Sequence, residues 1–266
     1  CGDSSTTSRK TNNWVFDPDP LKGKPTEMFF QSTKRLFEKN EYTSLQRSVV
    51  GIIGVGGVGS WASSALVRCG VTKLVLVDND IVVESNINRQ CQANYNNLGK
   101  AKVFAMKQIL NEINPSVVVN TIEEEFTFCN AKEIIENEKV DFWIDACDSI
   151  QAKIELIESL KLALTPFVIC GAAGGKSNPS KICYLDLERT TNDPLLAKLR
   201  YDLRRKKGFP RKGKMKVPCI SSSESSKKKS TGRLSCAGYG SIVTVTASMG
   251  LLAASKAIEK ITVSKS

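Results

Sequence analysis

Residues 48–59 read SVVGIIGVGGVG. A short apolar, β-branched run that stops at a glycine cluster predicts a buried strand feeding a tight turn. The turn holds Gly54, Gly56, Gly57 and Gly59, and SWASSALVRCGV after it predicts a helix. In a strand–loop–helix unit, glycines let main-chain N–H groups approach phosphate oxygens. The helix N-terminus adds partial positive charge there. A second strand, KLVLVDND, carries Asp78 and Asp80 at its end. A carboxylate at the place of Asp78 can accept ribose hydroxyls. Taken alone, this unit serves NAD as well as ATP.

Strands and helices alternate outward from this unit. Ala101–Ile113 reads as a helix and SVVVNTIEEEF as a strand; KVDFWIDACD reads as a strand ending in acids. A helix over about 151–164 follows, then the strands TPFVICGAAGG and KICYLDL. Such alternation predicts an α/β fold: a Rossmann-like, doubly wound, mainly parallel sheet. Ligands of such sheets lie at the carboxyl ends of the strands. Residues 1–26, punctuated by DPDP and GKP, read as a flexible lead-in, and 27–47 as a helix. Residues 27–266 are expected to form one domain, with a basic insertion at 198–233 and a C-terminal helix over about 237–260.

Composition excludes several chemistries. The chain has no His, so a Ser–His–Asp triad, a Cys–His dyad and a His-ligated metal are absent. None of its 9 Cys forms a C-x-x-C pair, so no structural zinc is expected. Several Cys lie in apolar runs, as reduced thiols of a cytoplasmic protein would. A mitochondrial or membrane-associated form stays open. The run AGYGSIVTVTASMGLLAASKAI is interrupted by Ser and Thr, and it reads as a buried or subunit-interface helix rather than a membrane span.

The segment after Asp78 decides for ATP. It runs through Asp80 to Ser85, Asn86, Asn88, Arg89 and Gln90, and then to LGKAK with Lys102. Hydride transfer has no need of Arg89 and Lys102 beside the cofactor. A triphosphate has: Arg gives a forked donor and Lys a compact charge as pyrophosphate leaves. Asp148, followed by Ser149 at a later strand end, is a candidate Mg²⁺ ligand.

GVGGVG, D-x-D, S-N-x-x-R-Q, G-x-x-K and D-A-C-D together resemble the adenylating superfamily of ubiquitin-activating enzymes and sulfur-carrier adenylyltransferases. The resemblance implies that Asp78 holds the ribose. It sets Ser85, Asn86, Asn88, Arg89 and Lys102 around the phosphates and gives Asp148 to the metal-bound nucleotide. Arg35, in TKRLFEKN, matches an arginine that in relatives reaches the partner subunit's ATP, which implies a homodimer. GAAGG-x-x-NPS, TTNDPLLAKLRYDLRR and CISSSE are similar to the tRNA threonylcarbamoyladenosine dehydratases. That family's reaction adenylates a threonyl carboxylate beside the tRNA anticodon and closes a ring with net loss of water. The alternative is adenylation of the C-terminal glycine of a ubiquitin-like or sulfur-carrier protein, with a cysteine-desulfurase-type protein as a further partner.

Between Lys198 and Arg233 stand fourteen Lys and Arg against Asp202 and Glu224. That excess exceeds the net charge of +11 of the whole chain, so the remainder is close to neutral. A near-neutral body with one basic segment predicts a polyanionic partner, here tRNA, with Lys206, Lys207 and Lys212 against its phosphates. Cys219 and Cys236 are candidate thiols near substrate, since neighbouring Lys216 and Arg233 would favour a thiolate.

Overall fold

The computed structural model describes residues 29–226 and 239–263. Seven strands form one sheet: β1 Val49–Ile53, β2 Lys73–Val77, β3 Val118–Ile122, β4 Phe142–Asp145, β5 Phe167–Cys170, β6 Ile182–Asp186 and β7 Pro218–Ser222. Their order across the sheet is β3-β2-β1-β4-β5-β7-β6. Every pairing is parallel except that of β6 with β7. The expected doubly wound, mainly parallel architecture is therefore present.

Among the described residues, eight helices accompany the strands: α1 Gln31–Lys34, α2 Lys39–Arg47, α3 Gly59–Arg68, α4 Lys102–Ile113, α5 Ala131–Glu138, α6 Ile150–Leu162, α7 Pro194–Lys206 and α8 Val243–Val263. They cover both faces, which is why the central strands read as continuous apolar runs rather than alternating ones. Ile52 joins a core with Leu45, Leu66, Met106 and Met249, from α2, α3, α4 and α8. Its neighbour Ile53 points the other way, into a core with Ile134, Ile157 and Leu199 from α5, α6 and α7. Fully burying one such side chain contributes about 1.5–3 kcal/mol.

Three expectations shift. The helix expected over 27–47 is two helices, because Glu38 takes extended dihedrals (φ −65°, ψ 158°) and restarts the chain. Its N–H donates to Glu41 Oε2 at 2.8 Å, capping α2. The C-terminal helix begins at Val243 and runs to Val263. The described part of the basic segment is built into the fold as α7 and β7. Asp193 caps α7 by accepting from Leu196 N at 3.1 Å, and Pro194 opens it. Leu196, Leu199 and Leu203 bury its inner face, while Arg204, Arg205 and Lys206 crowd its carboxyl end. Cations there complement the helix dipole. Among the described residues, no helix is long and apolar enough to cross a membrane.

Candidate active site

The strand order reverses between β1 and β4, and the loops beyond their carboxyl ends flank the crevice that such a switch point forms. The glycine loop after β1 forms one wall. Gly54 has φ +85°, and a Cβ there would lie 2.7 Å from Cys147 N and 2.8 Å from Ala146 C. Only glycine fits this position, by backbone angle and by space. Gly54 N donates to Val77 O at 2.8 Å, and Val55 N donates to Asp78 Oδ2 at 2.6 Å. Gly59 opens α3, so that helix points its N-terminus at the loop.

Asp78 follows β2 and also accepts from Asp80 N, through Oδ1, at 2.9 Å. Burial pushes its pKa up, against the Lys102 charge and the two main-chain donors. Lys102 is the first residue of α4 and is buried. Its Nζ lies 2.5 Å from Asp80 Oδ2. A β-bridge between Ile81 and Ala101 sets its height, and Lys102 N donates to Asp80 O at 2.9 Å.

The segment from Ser85 to Gln90 passes over the loop. Asn86 is buried and accepts from Val83 N at 3.2 Å, closing a 3-10 turn. Arg89 Nη1 donates to Ser85 O at 2.5 Å and to Asn88 Oδ1 at 3.0 Å. Arg89 O accepts from Trp61 Nε1 at 3.0 Å and from Thr246 Oγ1 at 3.4 Å, which ties the arginine to α3 and α8. Asn88 Nδ2 donates to Ser241 O at 2.9 Å. Gly57 faces Arg89 and Thr246, and Gly56 faces buried Gln90.

The turn between β4 and α6 closes the crevice. Asp145 Oδ1 accepts from Cys147 N at 3.1 Å, and Oδ2 accepts from Lys153 Nζ at 3.0 Å. Lys153 also donates to Cys170 O at 3.0 Å, and both charged partners are wholly buried. Burial opposes the Lys153 ammonium, but the charge and hydrogen bond of Asp145, together with Cys147 and Cys170, hold its pKa above that of an ordinary lysine. Asp148 is exposed on this turn, and Ser149 caps α6 by accepting from Ala152 N at 3.3 Å.

Sequence reasoning missed Lys153 and Gln92. The first left a signal, since Lys153, Ile157 and Leu160 share one buried helical face. Gln92 is buried behind the loop and donates to Val55 O at 2.7 Å; nothing in its local pattern marks it.

The structure thus gathers a helix N-terminus, loop N–H groups, two cations and a carboxylate around one crevice, a set suited to a nucleoside phosphate. The family profile described as ThiF matches residues 31–266. The chain belongs to the ThiF family. Within that family it is 34% identical over 250 residues to the tRNA threonylcarbamoyladenosine dehydratase of Haemophilus influenzae, covering 90% of this chain and 95% of the relative. It is 35% identical to the Escherichia coli enzyme of the same name, covering 87% and 92%. The crystal structure of the Escherichia coli protein in complex with AMP matches with a TM-score of 0.83 at 34% identity, over 88% of this chain and 94% of that one. Its complex with ATP matches with a TM-score of 0.81 over the same shares.

Other residues predicted for the site stand apart from the ThiF crevice. Arg35 is exposed at the carboxyl end of α1 and has no ion pair among the described residues. Lys206 and Lys207 lie where α7 ends, beside the carboxyl half of α6: Lys207 Nζ is 2.5 Å from Glu158 Oε2. Lys206 pairs with Asp202 at 3.2 Å, and Lys212 is exposed. The chain from there enters β7 at Pro218, so these lysines sit at the amino-terminal edge of the parallel strands, opposite the glycine loop. Cys219 requires correction as a substrate thiol. It is wholly buried in the α5–α6–α7 core, and burial pushes its pKa well up, outweighing the Lys153 charge. Cys236 lies outside the described residues.

Proposed function

We propose that the chain is an ATP-dependent tRNA threonylcarbamoyladenosine dehydratase. The observation that carries this reading is the pairing of Arg89 and Lys102 with the glycine loop and Asp78 in one crevice, in a chain similar along most of its length to dehydratases of that name.

The threonyl carboxylate attacks the α-phosphorus of ATP, and the bond to pyrophosphate breaks. Arg89, Lys102 and the loop N–H groups stabilise the charge that gathers on the leaving oxygens. Asp78 holds the ribose. The carbamoyl nitrogen then attacks the activated carbonyl carbon, loses its proton and expels AMP. The ring closes within one molecule, so its high effective concentration removes the need for a protein nucleophile. The absence of His and the burial of Cys219 agree with such a path.

Asp148 offers an exposed carboxylate where the phosphates would lie. Among the described residues, no group of three or more His, Cys, Asp and Glu could hold a metal ion. That donor set fits Mg²⁺, which is bound through one or two carboxylates together with substrate phosphates and water. Bound there, it would neutralise phosphate charge. We further assign a homodimer, in which Arg35 completes the neighbour's site. A tRNA substrate implies an intracellular site of action.

The test incubates purified protein with ATP and threonylcarbamoylated tRNA and follows pyrophosphate and the digested nucleosides by mass spectrometry. A dehydrated nucleoside, with pyrophosphate release that requires the modified tRNA, is expected. Unchanged tRNA, with pyrophosphate release that instead follows a sulfur-carrier protein, would overturn the assignment.

A further inference from the structure

Lys176 follows the Gly-rich turn after β5 and is 3% exposed. Its Nζ donates to three main-chain carbonyls: Asn192 O at 3.0 Å, Ser222 O at 2.9 Å and Glu224 O at 3.0 Å. An ammonium has three N–H donors and a neutral amine two, so this cage uses a protonated lysine completely. Burial lowers its pKa, and the Asp193 and Glu224 charges act against that. The carboxylate of Glu224 closes the same knot from the other side. It accepts from Ser177 N at 3.0 Å and Asn178 N at 2.8 Å through Oε2, and from Ser177 Oγ at 3.1 Å through Oε1.

The knot touches the crevice through main chain. Gly175 N donates to Gly240 O at 2.8 Å. Ser241 O, next in the chain, accepts from Asn88 Nδ2, and Asn88 Oδ1 accepts from Arg89 Nη1. From the cage to the Arg89 guanidinium there is an unbroken run of peptide units and hydrogen bonds.

We propose that Lys176 is a tethered cation and a positioning residue: by filling a cage of three carbonyls it fixes the Gly240–Ser241 main chain that holds Asn88, and through Asn88 the direction of Arg89. The link to Arg89 rests on the reading of the crevice as an ATP site; the cage itself does not. Without the side chain, three carbonyl oxygens remain aimed at a hole the size of an ammonium ion, and burying them unpaired is costly.

The test uses Lys176→Ala in tetramethylammonium chloride, whose cation is too large for the cage, with ammonium chloride added stepwise. Two readouts are taken, the melting midpoint and tRNA-dependent pyrophosphate release. The variant's midpoint should rise with ammonium while the wild-type midpoint stays fixed, because a ligand that binds only the folded state stabilises it. Its kcat should fall roughly tenfold, as expected for loss of charge-assisted hydrogen bonds, with KM for ATP little changed and with recovery in ammonium. A midpoint indifferent to ammonium would overturn the cage, whatever the enzyme's substrate. A midpoint that responds while kcat equals wild type throughout would overturn the link to Arg89. If Lys176→Ala does not fold, Lys176→Gln, which keeps two N–H donors, should fold with a lowered midpoint. Equality of Lys176→Gln with wild type would refute the need for a charged third donor.

Discussion

Lys102 and Arg89 reach the crevice by different means, and this predicts how each fails. Lys102 is buried, with its Nζ against the exposed carboxylate of Asp80. Arg89 is half-buried, with its guanidinium aimed by Ser85 and Asn88 and its carbonyl pinned by Trp61. Neither side chain belongs to a hydrophobic core, so Lys102→Ala and Arg89→Ala should stay folded. Each should lose roughly a hundredfold or more in adenylation rate, the scale seen when one group that stabilises transition-state charge is removed. Pyrophosphate release measured under saturating ATP checks this, and rates near wild type for both would remove the assignment. Cys219 gives the opposite forecast. A thiol with no access to solvent and a raised pKa is neither a nucleophile nor a thioester carrier. Cys219→Ala should therefore leave turnover unchanged and lower stability by about 1 kcal/mol through the smaller packing volume. Chemical denaturation and a turnover assay on the same sample separate the two effects. A collapse of activity in a folded protein would restore Cys219 to the mechanism.

At the level of elements, α8 is the member that turns a sheet into a site. It packs on α3 so closely that a Cβ at Gly250 would lie 2.4 Å from Val58 O and 2.9 Å from Ala62 N. One turn earlier, Thr246 reaches Arg89 O and the face of Gly57. In an isolated helix Gly250→Ala would be stabilising, but here the neighbouring atoms are backbone and cannot step aside. We expect Gly250→Ala to cost about 1–3 kcal/mol, as overpacking does. It should also weaken ATP binding by pushing Thr246 off Arg89. Thermal melting with a nucleotide titration measures both, and a melting point at or above wild type would contradict the packing account. The unit β1–loop–α3, the acid-tipped β2 and β4, and α4 were legible in sequence because their apolar runs end in polar groups whose spacing has a chemical reason. β7 was not: PCISS is short, and its partner strand β6 is remote enough in the chain that no hairpin signal joins them. In α7 the charge of Arg204–Lys206 hid a regular apolar face at Leu196, Leu199 and Leu203, so a core helix looked like an insertion. The crevice itself was largely readable from Gly54 to Lys102. Gln92, Lys153 and Lys176 were not, since each is polar and acts by bonding to main chain brought near only by folding.

Among the described residues, eight Lys and Arg from Arg204 to Lys216 stand at and after the carboxyl end of α7, at the edge of the sheet remote from the glycine loop. Lys161, near the end of α6, stacks over the Phe209 ring at 4.4 Å and anchors the loop that carries Arg211, Lys212 and Lys214. Lys206 and Lys207 have carboxylate partners in the free protein, but such surface pairs contribute little to stability. Neutralising Lys206, Lys207, Lys212 and Lys214 together should therefore leave folding and ATP affinity intact while weakening tRNA binding. The salt dependence should become shallower by about 0.7–0.9 in slope for every phosphate that the variant no longer neutralises. Binding isotherms of both proteins at several salt concentrations check it, and identical affinities and slopes would reduce this face to a solubility device. The glycine loop and this basic face are separated by the length of the strands, five residues or roughly 17 Å. A sulfated polysaccharide such as heparin should then compete with RNA without displacing ATP, while an adenylate analogue should do the reverse. Inhibitors of these two kinds would act on the enzyme together, each indifferent to the presence of the other.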